Sequence, residues 1–154
     1  MAMESRTGKD MQGGCMCGQV RYVAHVTSDD AYLCHCRMCQ HAIGNVSVAW
    51  FNIPKVDVRW LAGKPTQYAS SPIASRGFCD NCGTSLTFAF LDGPNMDLTV
   101  ASFDQAQYFQ PTHHFGAEAM HRRWIDTREL VEYRADEHAP TTQRWIDAIG
   151  RLPD

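Results

Sequence analysis

The sequence has no apolar run near the roughly 18 to 20 residues that a membrane-crossing helix needs, and its first fourteen residues carry no apolar core of signal-peptide length. Both absences lead to the expectation of a cytoplasmic protein. There is no surplus of positive charge either: 14 Lys and Arg stand against 17 Asp and Glu, a net charge of −3. The one dense basic spot, His121-Arg122-Arg123, is too small for the broad footprint of a nucleic-acid binder. No internal repeat, low-complexity tract or long linker breaks the 154 residues, a length that suits one ordinary domain. An even number of cysteines is also missing. With seven, disulfides within one chain always leave a thiol over.

Those seven are concentrated in three places. Cys34-His35-Cys36-Arg37-Met38-Cys39 puts three thiols in six residues, and the other four form two tight pairs, Cys15-Met16-Cys17 and Cys79-Asp80-Asn81-Cys82. In a reducing compartment such spacing points to metal ligands or reactive thiols before it points to disulfides. A structural zinc takes four ligands and closes its shell, whereas a catalytic zinc takes three from the protein and keeps one position open. Four plus three matches the cysteine count.

Most of the chain reads as strand. In residues 19–26, Val20, Tyr22, Ala24 and Val26 alternate with more polar neighbours, the period of a half-buried strand. Ala31-Tyr32-Leu33 is a short apolar lead into the cysteine triplet, and residues 40–44 suit a single helical turn. Further strands are expected at 46–53 and 56–61, divided by Pro54, with a short one at 67–69. Two more, at 84–90 and 96–103, flank the turn Asp92-Gly93-Pro94-Asn95. Residues 110–115 read as a loop with two histidines, and 141–149 as a helix. The fold class is mainly β with little helix.

The pairs Cys15/Cys17 and Cys79/Cys82 are each bidentate. If the strands that carry them are neighbours, they make a four-thiolate structural zinc; otherwise Cys15 and Cys17 are reduced thiols near a frayed end. Gly83 suits the positive φ that often follows the second cysteine of such a knuckle. The triplet has two readings. A histidine such as His35, His41 or His114 closes its shell and makes it structural, or the fourth position stays open for a soft sulfur ligand. A dithiol redox motif has the same Cys-x-x-Cys spacing, but the strand–helix alternation that accompanies it is missing.

Four stretches together carry a resemblance. They are Gly13-Gly14-Cys15-Met16-Cys17-Gly18-Gln19-Val20-Arg21-Tyr22, the triplet, Arg76-Gly77-Phe78-Cys79-Asp80-Asn81-Cys82-Gly83-Thr84-Ser85-Leu86, and Pro111-Thr112-His113-His114-Phe115. In order and spacing they resemble the family of glutathione-dependent formaldehyde-activating enzymes and centromere protein V, over roughly residues 13–134.

The resemblance implies a Mss4-like β-sheet fold around a structural zinc held by Cys15, Cys17, Cys79 and Cys82. It assigns a second, catalytic zinc to Cys34, Cys36 and Cys39, giving two Zn²⁺ per chain. The expected organisation is a flexible extension over 1–12, the zinc-binding domain over 13–135 and a tail with a short helix over 136–154. The implied activity is that of a carbon-sulfur lyase resembling S-(hydroxymethyl)glutathione synthase, joining or splitting a glutathione-like thiol and an aldehyde. Its partners are then small molecules, with no nucleic acid or membrane. His35 or His114 would move the proton, and Arg37 and Arg76 would anchor the carboxylates of glutathione as co-substrate. A non-catalytic module that binds zinc, glutathione or a protein is the alternative.

Overall fold

The computed structural model describes residues 7–153. Contacts divide them into a unit that ends at His121 and a smaller one that begins at Arg122. The first unit is a mainly β structure of ten strands in two sheets. The small sheet has the order β1-β2-β5, with β1 at Lys9–Gly14, β2 at Arg21–Val26 and β5 at Val58–Ala62. The large sheet contains β3 (Asp30–Cys34), β4 (Val48–Pro54), β6 (Thr66–Ser71) and β7 (Ala74–Phe78). It also contains β8 (Ser85–Phe90), β9 (Asn95–Thr99) and β10 (Gln110–Phe115), in the order β10-β3-β4-β9-β8-β7-β6. All pairings are antiparallel except that of β10 with β3.

Period-two alternation decides what each face does. Val20, just before β2, and Tyr22, Ala24 and Val26 on it all fall to 1% exposure or less, as the sequence pattern anticipates. While Val20 packs with Cys15, Cys79 and Leu86 in a separate cluster, the side chains of Tyr22, Ala24 and Val26 join Phe51 and Ile53 of β4 and Met96 and Leu98 of β9 in one core cluster. Phe103 and Phe109 complete it, with ring centroids 4.6 Å apart. Each such fully buried side chain contributes about 1.5–3 kcal/mol relative to exposure. The residues between them on the large sheet, including Trp50, Asn52 and Asp97, face away from this core.

Three expectations are corrected by backbone pairing. The extension over 1–12 is not flexible throughout: Lys9 begins β1, which pairs with β2 from Lys9↔Val26 to Gly14↔Arg21 and buries Met11. Residues 1–6 of that extension lie outside the described residues. The stretch 110–115 is a strand and not a loop. It is exposed along its length and carries Pro111, which an edge strand tolerates, so no apolar alternation marks it. The helical turn expected at 40–44 starts earlier and makes two turns, α1 at Arg37–Ile43, which takes in Cys39.

The second unit contains one α-helix, α2 at Ala139–Ile149, capped by Gly150, in place of the expected 141–149. Among the described residues, no helix is long and apolar enough to cross a membrane.

Candidate metal centre and cavity

The two cysteine pairs meet because two hairpin loops meet. Cys15 and Cys17 lie between β1 and β2, and Cys79 and Cys82 between β7 and β8, so one loop comes from each sheet. The four sulfurs lie within 4.8 Å of one another. Cys15 Sγ is 3.6 Å from Cys17 Sγ, and Cys17 Sγ is 3.8 Å from Cys79 Sγ. Four thiolates bound tetrahedrally at about 2.3 Å from zinc stand about 3.8 Å apart, so the donor set fits that ion. The loops are prepared for it: the Val20 amide donates to Cys15 Sγ at 3.2 Å, and Gly83, at φ +77°, donates its amide to the Cys79 carbonyl at 2.8 Å. Thr84 Oγ1 accepts from the Met16 amide at 3.1 Å and lies 3.2 Å from Cys82 Sγ, linking the loops directly. Hydrogen bonds from the Thr84 side chain and backbone bring the Cys82 thiol down to about 5.

The triplet forms a second cluster. Cys34 ends β3, Cys36 caps α1, and Cys39 lies in its first turn, which brings three sulfurs within 4.8 Å. The Cys34 thiol donates to Cys39 Sγ at 3.4 Å. That bond, with help from Arg76 and Cys36, brings Cys39 down to about 5, while the same bond and burial push Cys34 up. Three sulfurs at this spacing also fit one zinc. No histidine or carboxylate joins this cluster among the described residues.

The cluster opens into a cavity of about 360 Å³ on the outer face of the large sheet. Strand alternation builds it: Tyr32 and Cys34 of β3, Trp50 and Asn52 of β4, and Asp97 of β9 share this face, opposite the inter-sheet core. Arg76 of β7 closes one side. It is 6% exposed, with its guanidinium 4.8 Å from the Phe88 ring and Nη2 donating to Cys39 Sγ at 3.5 Å. Its Nε and Nη1 are buried with no hydrogen-bond partner. Such a buried cation calls for an anionic neighbour, and the Cys39 sulfur, held low in part by Arg76 itself, is placed to supply one. Asp97 accepts from Asn52 Nδ2 at 3.1 Å. Burial pushes its carboxyl up, opposed by the hydrogen bonds of Asn52 and Tyr32.

Residues singled out in the sequence separate here. Arg76 reaches the triplet. Arg37 lies outside the cavity, where Nη1 donates to Gln40 Oε1 at 2.5 Å and Nη2 lies 3.0 Å from His41 Nε2, beside a neighbouring hollow of about 660 Å³. His35 and His114 are brought to each other, with Nε2 and Nδ1 2.9 Å apart, and neither lines the cavity. Register explains this, because β10 pairs His113 with Tyr32 and His114 with Leu33. The histidine on the cavity face is therefore His113, stacked on Tyr32 at 5.2 Å. His35 is fully buried, and burial, reinforced by His114 and His121, lowers its pKa.

Three contributors escaped the sequence reading. Asp97 lies far from the triplet along the chain, in an ordinary strand. Gln40 is buried and directs Nε2 at the carbonyls of His35 (2.8 Å), Val46 (3.1 Å) and Ala119 (3.2 Å), fastening the triplet loop. Gly116 takes φ +67° directly over the triplet, and a Cβ there would stand 2.8 Å from the Cys36 amide nitrogen. A glycine immediately after the Pro111–Phe115 stretch was the visible signal for the last.

Ten strands in two sheets, with one thiol cluster between hairpin loops and another at a cavity, define a mainly β protein with two sites that can hold metal ions. Residues 10–118 match the family described as glutathione-dependent formaldehyde-activating enzyme, and the chain belongs to that family. Over 88 residues it is 34% identical to a protein of Schizosaccharomyces pombe described as an uncharacterized lyase, across 56% of this chain and 62% of that relative. The chain thus spans less than two thirds of that relative's length. A crystal structure of a Rhodobacter sphaeroides protein shares the fold, with a TM-score of 0.53 and 22% identity over 68% of this chain and 99% of the other.

Proposed function

We propose that the protein is a carbon-sulfur lyase that joins or splits a thiol and an aldehyde at the Cys34/Cys36/Cys39 cluster, with glutathione or a similar thiol as one reactant. The observation that carries this reading is the openness of the cluster: three sulfurs at a ligand-sized cavity with no fourth donor among the described residues. Family membership and the lyase description of the yeast relative support it. Zinc held by three thiolates supplies a position where a sulfur ligand is favoured as thiolate.

The reaction breaks the thiol S–H bond and forms a C–S bond while the carbonyl π pair moves to oxygen, which takes up the proton that the thiol gives up; the reverse returns thiol and aldehyde. This chain's residues serve three needs of that chemistry. The Arg76 cation offsets the negative charge gathered at the sulfurs. A proton must reach or leave the carbonyl oxygen, and His113 and the Tyr32–Asp97 pair are the cavity groups suited to hold it. Trp50, 1% exposed on the cavity face, gives the adduct an apolar neighbour.

The test mixes zinc-loaded protein with glutathione and ¹³C-labelled aldehyde and follows exchange between free aldehyde and adduct by NMR. Exchange well above the uncatalysed rate is expected. A rate equal to the uncatalysed one for every aldehyde tried would reject the lyase reading and leave a binding module.

A further inference from the structure

The cavity over the triplet is divided in character. Its floor is polar and charged: three thiols, Arg76, Asp97 and Asn52. Its walls and mouth are aromatic. Phe88 lies 6.3 Å from Trp50 and 5.2 Å from Phe90, while Phe115 stands edge-on to Tyr32 at 6.3 Å. Phe90 and Phe115 are 51% and 60% exposed, and Ile73 at the same mouth is 63% exposed. Large apolar side chains held in water beside a cavity mark a place where an apolar ligand is received.

Size separates the possible occupants. A volume of about 360 Å³ holds about a dozen waters at roughly 30 Å³ each, and falls within the range of pockets for organic small molecules. Formaldehyde has two heavy atoms and no apolar body, so it would leave the aromatic wall in contact with water. The charged ends of a glutathione-like thiol do not suit that wall either. The one cationic side chain in the cavity, Arg76, is already directed at Cys39, and Arg37 borders the neighbouring hollow with Met38 and His41.

Building on the lyase reading, we infer that the carbonyl substrate carries an aromatic or similarly flat apolar group, with its reacting carbon at the triplet and its ring against Phe88, Phe90 and Phe115. The C–S bond forms between the thiol sulfur and the carbonyl carbon as above, and the ring takes no part in the electron balance. The aromatic wall then selects among aldehydes, because ring–ring contact adds to the burial of apolar area only when a ring arrives.

Two measurements on the zinc-loaded full chain test this. The first compares glutathione-dependent exchange for benzaldehyde and formaldehyde, each divided by its uncatalysed rate, in wild type and in Phe115→Ala and Phe90→Ala. The second follows binding of benzyl alcohol, which cannot form an adduct, through the aromatic ring resonances. Wild type is expected to favour benzaldehyde by about tenfold or more, and each variant to lower the benzaldehyde-to-formaldehyde ratio by about tenfold. Benzyl alcohol should shift the Phe88, Phe90 and Phe115 resonances, and bind more weakly to the variants. Acceleration confined to formaldehyde, with a ratio unmoved by either variant, overturns the inference and leaves the lyase reading standing. No acceleration with any aldehyde, but saturable benzyl alcohol binding weakened by Phe115→Ala, removes the lyase reading while keeping the aromatic ligand class. Absence of benzyl alcohol binding together with no benzaldehyde preference overturns the inference as well.

Discussion

The two cysteine clusters are built from the same element in the same chain, yet their surroundings differ in every respect that bears on chemistry. Cys15, Cys17, Cys79 and Cys82 come from two loops of two sheets, are saturated by one another and by Val20, Gly83 and Thr84, and stand against Val20 and Leu86. Cys34, Cys36 and Cys39 come from one short segment, have no fourth donor among the described residues, and face a cavity with a buried arginine and a buried carboxyl. A ligand shell closed by the protein holds parts together; a shell left short invites something else to complete it. The difference lies in the number of chain segments that converge.

The sharpest way to break this comparison is to remove one sulfur from each cluster. Cys82→Ser is expected to abolish the cooperative thermal transition, since a structural zinc contributes an apparent 10–16 kcal/mol, roughly as much as a whole domain's net stability of about 5–15 kcal/mol. Cys36→Ser should melt within about 5 °C of wild type, a change of about 1 kcal/mol, yet exchange aldehyde no faster than the uncatalysed reaction. Circular dichroism on heating and the NMR exchange assay read the two outcomes. Equal collapse in both variants would make the triplet a second structural site.

A smaller effect is expected at Gly116. Substituting alanine forces a β-carbon into a left-handed backbone and against Cys36, at a cost of about 1–2 kcal/mol for the backbone alone. Urea unfolding should show that loss. The aldehyde exchange rate should fall with it, because the contact displaced belongs to the triplet loop. An unchanged exchange rate would detach Gly116 from the cavity.

Membership of the clusters was legible in the sequence because tight cysteine spacings survive folding as local geometry. So was β2, whose alternating Tyr22, Ala24 and Val26 face one core. The choice among histidines was not. Whether His113 or His114 enters the cavity depends on the register of β10 against β3, a parallel pairing between segments far apart in the chain and shifted by an irregularity between Pro111 and His113. A one-residue change of register exchanges the two faces. Asp97 was hidden for a related reason: an acidic residue in a strand normally reads as its solvent side, and only a wall of neighbouring strands makes that side a cavity.

The smallest expected effect lies near the closed cluster. Arg21, directly after its first loop, makes a bidentate pair with Asp104, at 2.9 Å from Nη1 to Oδ1 and 2.6 Å from Nη2 to Oδ2. The side chains are 30% and 50% exposed, so solvent screening limits the pair to about 0.5–1 kcal/mol. The Arg21 guanidinium holds Asp104 below the usual carboxylate range. A depressed carboxyl stabilises the fold above its unfolded value near about 4, and that contribution is lost as pH falls through the lower folded value. Asp104→Asn should therefore lower the melting temperature slightly at pH 7 and converge with wild type as the pH drops below about 4. A difference that persists in acid would assign the effect to packing.

The convergence of segments also orders events in time. Cys34, Cys36 and Cys39 occupy six residues and need only one turn of helix to gather, whereas the closed cluster must wait until β1, β2, β7 and β8 are all in place. Loop-closure entropy grows with the span to be closed, and contacts between distant segments form late. During synthesis the triplet is thus the first cluster to be complete, tens of residues before Cys79 and Cys82 exist. A nascent chain that meets metal ions would therefore offer them the triplet before the four-cysteine cluster.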